Sequence, residues 1–125
     1  MAWCFEDEAT DATDGVLERF GDEQATVPPL WPLEVANVLL VAERRARISE
    51  AQAARFLELL AQLPIAVDES ATDMSTVVAV GRRHVLTSYD ACYLVLAERL
   101  GAPLATLDAR LAQAATDAGV ALLIT

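Results

Sequence analysis

Glu34, Asn37, Asp90 and Asp108 stand almost alone as strongly polar side chains in apolar stretches of the chain. Glu34 and Asn37 interrupt LWPLEVANVLLVA at 30–42. Asp90 is the single charge in TSYDACYLVLA at 87–97, and Asp108 the single charge in GAPLATLDA at 101–109. A carboxylate in an apolar helix or at a strand end costs free energy unless something pairs with it. The chain has no lysine at all, and three such carboxylates in a lysine-free chain point to a metal ion as their partner. Oxygen-only ligands select magnesium or manganese. The chemistry that such clusters usually serve is phosphodiester hydrolysis, in which one or two ions activate a water and stabilise charge on the attacked phosphate. Taken singly, each acid also has a plainer reading: Asp108 as a helix N-cap, Asp90 as the end of a capping box opened by Thr87, and Glu34 as a charge favoured by the positive end of its helix. Asn37 lies one turn after Glu34 on the same helix face and suits a supporting role there.

These residues must be held by elements, and the pattern alternates helices with short apolar strands. A first helix is expected near 9–20, ended by Gly21. ATVPP at 25–29 reads as a short strand closed by prolines. Pro32 suits the first turn of a helix running to about Arg45. Ser49 with Gln52 forms a capping box that opens a helix to about Gln62. IAV at 65–67 is a strand, residues 69–83 fit a helix, and Thr87 or Ser88 caps the next one, which ends near Gly101. LATL at 104–107 reads as a strand, Asp108 opens a helix to about Ala118, and VALLI at 120–124 is a last strand. Such alternation implies a parallel sheet between layers of helices. Ligands of these sheets lie beyond the carboxyl ends of the strands, which is where Glu34, Asp90 and Asp108 can gather.

A chain of 125 residues, 54% of them hydrophobic, is one domain able to bury a core. Nine arginines stand against nineteen acids, for a net charge of -10. That balance argues against a constitutive nucleic-acid coat protein, though not against a nuclease whose acids hold cations. Without lysine, Walker-type nucleotide sites, pyridoxal chemistry and Schiff-base aldolases are excluded. The lone His84, beside Arg82 and Arg83, reads as a surface residue, so a histidine triad or polyhistidine zinc site is not expected. Cys4 and Cys92 read as reduced thiols. No run is long enough to span a membrane and no signal peptide is visible, so the expected location is the cytoplasm. Arg44, Arg45 and Arg47, with Arg82 and Arg83, are helix-end charges or contacts for RNA phosphates.

The motifs PPLWPLEVANVL at 28–39, LTSYDACYLVLA at 86–97 and LATLDARL at 104–111 resemble those of PIN-domain ribonucleases, specifically toxins of VapBC-type toxin–antitoxin pairs. The resemblance runs from about Trp3 to Val120. It implies a PIN-like three-layer α/β/α fold with a short parallel sheet, and a magnesium- or manganese-dependent endoribonuclease. Glu34, Asp90 and Asp108 match the family's metal-binding acids. Thr106 and Asn37 match supporting residues. The resemblance also implies an RNA substrate, a cognate antitoxin and a homodimer. PIN toxins open with a strand carrying an aspartate, just before a segment like AWCFEDE; this chain begins after that point. The expectation is therefore an amino-terminally shortened single domain over 1–125, lacking that strand, with Glu6, Asp7 and Glu8 as an exposed loop. The alternative is a non-catalytic PIN-like relative that binds an antitoxin or RNA without turnover. A receiver-like domain would need a lysine near its acidic pocket, and a purely structural α/β domain needs no site at all.

Overall fold

The computed structural model describes residues 25–70 and 73–123. The helix expected near 9–20, the acidic loop at Glu6–Glu8 and Cys4 lie outside the described residues. Strand β1 (Ala25–Val27) runs parallel to β2 (Ile65–Val67), with Ala25 opposite Ile65 and Val27 opposite Val67. A parallel pair requires a long crossover, supplied here by α1 (Trp31–Arg44) and α2 (Glu50–Ala61). Then follow α3 (Met74–His84), α4 (Ser88–Leu100) and α5 (Ala109–Asp117). A second parallel pairing joins Leu104 to Leu122 across α5. Leu104 N–H donates to the Ala121 carbonyl at 2.9 Å, and Leu123 N–H to the Leu104 carbonyl at 3.0 Å. The described residues thus form an α/β fold of five helices with short parallel strands, as the alternation predicted.

Helix starts follow local chemistry closely. Pro32 occupies the first turn of α1, where its missing N–H costs nothing. Ser49 and Gln52 exchange hydrogen bonds of 2.8 and 3.1 Å in a complete capping box. Thr87 Oγ1 accepts from the Asp90 N–H at 3.2 Å, and Asp108 Oδ1 from the Leu111 N–H at 2.8 Å. Gly101 closes α4 at φ 62° and Gly119 follows α5 at φ 79°, conformations that glycine adopts without strain.

Four elements differ in extent from the sequence reading. β1 stops at Val27, because Pro28 and Pro29 cannot donate to a ladder. The helix expected from residue 69 begins at Met74, since Asp73 is the residue that caps it. The strands expected at 104–107 and 120–124 contract, within the described residues, to the single Leu104–Leu122 bridge. Thr106 and Asp108 explain the first contraction: the Asp108 N–H turns back to Thr106 Oγ1 at 3.0 Å, so the backbone leaves the ladder to enter α5. His84, expected on the surface, is half-buried at the end of α3.

Among the described residues the core joins the strands to α1, α4 and α5. Val27, Trp31, Val35, Tyr93, Leu94, Leu104, Leu111 and Ala115 form one buried cluster. Leu94 and Leu111 are fully enclosed, each stabilising the fold by about 1.5–3 kcal/mol through burial. Helix α4 is its centrepiece, buried at Ala91, Tyr93, Leu94, Leu96 and Ala97 and packed between α3 and α5. Gly81 permits the α3 approach: a Cβ there would meet the Leu86 carbonyl oxygen at 3.1 Å and the Ala91 Cβ at 3.9 Å.

Candidate carboxylate site

Each of the three singled-out acids stands at the start of a helix. Glu34 is in the first turn of α1, seven residues beyond Val27, the end of β1. Asp90 is in the first turn of α4, and Asp108 is the N-cap of α5, four residues beyond the bridge residue Leu104. Helix N-termini carry N–H groups without intrahelical acceptors and a partial positive charge, so all three acids stand where the backbone attracts anions and acceptor oxygens. Glu34 and Asp90 are half-buried, whereas Asp108 is exposed and uses one carboxylate oxygen to cap its own helix. Thr106, the partner expected for Asp108, is the buried polar residue at 5% exposure, and its hydroxyl accepts the Asp108 N–H. It therefore fixes the backbone from which Asp108 projects.

Glu34 is tied to another helix. The Tyr93 hydroxyl donates to Glu34 Oε1. Tyr93 lies three residues after Asp90 on α4, a spacing that places the two on neighbouring positions of one face. The contact thus brings the α1 carboxylate to the helix that bears Asp90. Asn37, expected beside Glu34, is exposed. Sequence reasoning passed over Tyr93 as part of an apolar run. The available signal was the hydroxyl itself, since a buried tyrosine O–H needs an acceptor. Cys92, also on α4, is a free half-buried thiol. Its pKa is pushed above the ordinary 9.0, first by burial and then by the negative charge of Glu34, so it is a protonated thiol at neutral pH.

Beyond the carboxyl ends of both strands lies a cavity of about 410 Å³, lined by Pro28 and Pro29 after β1, Asp68 after β2, Asp73, Thr76 and Val77 of the α3 start, and Cys92, Val95 and Arg99 of α4. An Arg99–Asp68 ion pair, with Asp68 the more enclosed partner, crosses its wall. Glu34, Asp90 and Asp108 do not line it. As to a metal, the donor set is of the right kind: carboxylate oxygens, with no lysine to compete. Among the described residues, however, no three His, Cys, Asp or Glu side chains are gathered closely enough to hold an ion by themselves. The described residues therefore supply the donor type rather than a finished ligand cage. No helix among them is long and apolar enough to cross a membrane.

Comparison with known proteins adds the family. The PIN domain profile matches residues 1–117. The chain is also similar to Ribonuclease VapC3 of Pyrobaculum aerophilum, with 38% identity over 82 residues that cover 64% of this chain and 63% of that protein. The matched segment thus spans less than two thirds of the length of this curated relative.

Proposed function

The chain belongs to the PIN-domain family, and from that premise we propose that it is an endoribonuclease, the toxin component of a toxin–antitoxin pair. The observation that carries the reading is the Glu34–Tyr93 contact. It joins one helix-start carboxylate to the helix that presents another, Asp90, in a chain whose similarity is to a VapC-type ribonuclease. The reaction is hydrolysis of an RNA phosphodiester bond. The working residues are Glu34, Asp90 and Asp108, with Thr106 fixing the Asp108 backbone. A bound magnesium or manganese ion would supply a water of lowered pKa and charge compensation at the attacked phosphate. The chain's own part is to hold negative oxygens at three helix starts: Glu34 under the Tyr93 hydroxyl, Asp90 beside the Thr87 cap, Asp108 on the Thr106 turn.

The same reading places the protein in the cytoplasm with a cognate antitoxin, for which a net charge of -10 favours a basic partner. It also includes a homodimer, supported by exposed Leu33, Val38, Leu57 and Leu59 on the α1–α2 pair. The test is manganese-dependent cleavage of a mixed RNA pool by the chain beside its Asp90→Asn variant. The expected result is cleavage reduced roughly 100-fold or more in the variant. The separation of the acids among the described residues favours a second reading, a non-catalytic relative that binds RNA or antitoxin. Absence of turnover in both proteins, with antitoxin binding retained, would select it.

A further inference from the structure

We propose that Tyr93 is a positioning residue of the carboxylate site, its hydroxyl fixing where the Glu34 carboxylate points and tying it to the helix that carries Asp90. The inference rests on the nuclease reading for its consequence, and on the contact itself for its geometry. Tyr93 is 4% exposed and its ring belongs to the same buried cluster as Val35, Leu94 and Leu111. The position of its hydroxyl is therefore set by close-packed neighbours and not by solvent. Glu34 has three rotatable side-chain bonds and, on a helix start, would sample several directions without a fixed partner. A donor anchored in the core and aimed at Oε1 removes that freedom. The two residues are 59 apart in sequence, so the contact also locks the start of α1 against the face of α4. A reacting carboxylate must be held within a fraction of an ångström of its working geometry. In this molecule the core contributes to that precision through the Tyr93 phenol, while the nearby amide of Asn37 is exposed.

The test compares the wild-type chain with Tyr93→Phe, Glu34→Ala and the double variant. Tyr89→Phe serves as control, because Tyr89 is exposed on the same helix. Urea unfolding comes first. Tyr93→Phe is expected to lower the midpoint by more in the wild-type background than in the Glu34→Ala background. Equal losses in both backgrounds would overturn the proposal. RNA cleavage with manganese comes second. Tyr93→Phe is expected to lower kcat about 10- to 100-fold, with KM for RNA changed less than about threefold and Tyr89→Phe like wild type. A Tyr93→Phe protein with wild-type kcat would also overturn it. A wild-type chain that cleaves no RNA removes the nuclease reading alone, and the unfolding comparison then decides the Tyr93–Glu34 coupling by itself.

Discussion

Asp108 has two jobs that one substitution can separate. Its Oδ1 accepts the Leu111 N–H at 2.8 Å, which caps α5, and its charge is one of the three proposed for the reaction. Asparagine caps a helix as well as aspartate does, whereas alanine does not. Asp108→Asn is therefore expected to keep the unfolding midpoint and lose RNA cleavage. Asp108→Ala is expected to lose both, at a stability cost of about 1 kcal/mol. Parallel melts and cleavage assays of the two variants check this, and equal stability of the two would deny Asp108 its capping role. The acids could be found in the sequence because a lone charge in an apolar run is conspicuous. Tyr93 was less conspicuous, because the hydroxyl of a tyrosine among Cys92, Leu94 and Val95 signals a need for an acceptor without naming Glu34 as that acceptor. The cavity beyond the strand ends was equally hidden, since Pro28, Asp68 and Arg99 come from three separated segments and no local pattern links them.

At the scale of elements, the helix starts were legible where a short-range hydrogen bond sets the boundary at Ser49, Thr87 and Asp108, but not at Asp73, a cap that sits among other acids and hydroxyls. The strands were less so. Leu104 and Leu122 pair through a long connection, and the turn at Thr106 competes with the ladder for the same backbone. Helix α3 is the element most open to manipulation. Asp73, its cap, has a pKa held below the ordinary 3.8, first by the Thr76 hydroxyl and then by the Ser75 hydroxyl and N–H. A carboxylate with a lower pKa folded than unfolded stabilises the fold above the unfolded value and ceases to do so as pH falls through the folded one. Wild type is expected to exceed Asp73→Asn in urea midpoint at pH 7, with the gap shrinking as pH drops below 3.8. A gap unchanged at pH 3 would refute the capping charge. The other end of α3 is strained: Val85 closes it at φ 55° and ψ 50° while 73% exposed. Relief of about 1–2 kcal/mol of left-handed strain outweighs glycine's added unfolded-state entropy of about 0.5–1 kcal/mol. Val85→Gly is therefore expected to stabilise the protein by roughly 0.5–1 kcal/mol in a urea titration.

For the whole molecule the governing quantity is charge. A chain with a net charge of -10 repels RNA at long range, so the proposed RNA binding would rely on cations that screen the phosphates and on local basic clusters. Arg44, Arg45 and Arg47 are exposed together at the end of α1, the helix whose start carries Glu34, and they are the natural candidates. They also sit where a helix C-terminus favours positive charge, so loss of affinity on reversal would not by itself separate phosphate contact from a weakened helix. Salt dependence does. Each phosphate neutralised on a single strand contributes about 0.7 to the slope of log affinity against log salt. If Arg44 and Arg45 each touch a phosphate, reversing both to glutamate is expected to lower affinity and flatten that slope by about 1.4. If they only complement the helix end, the double reversal shifts the melt and leaves the two slopes parallel. Parallel slopes would move the RNA path away from the end of α1, toward the Arg82–Arg83 pair that closes α3.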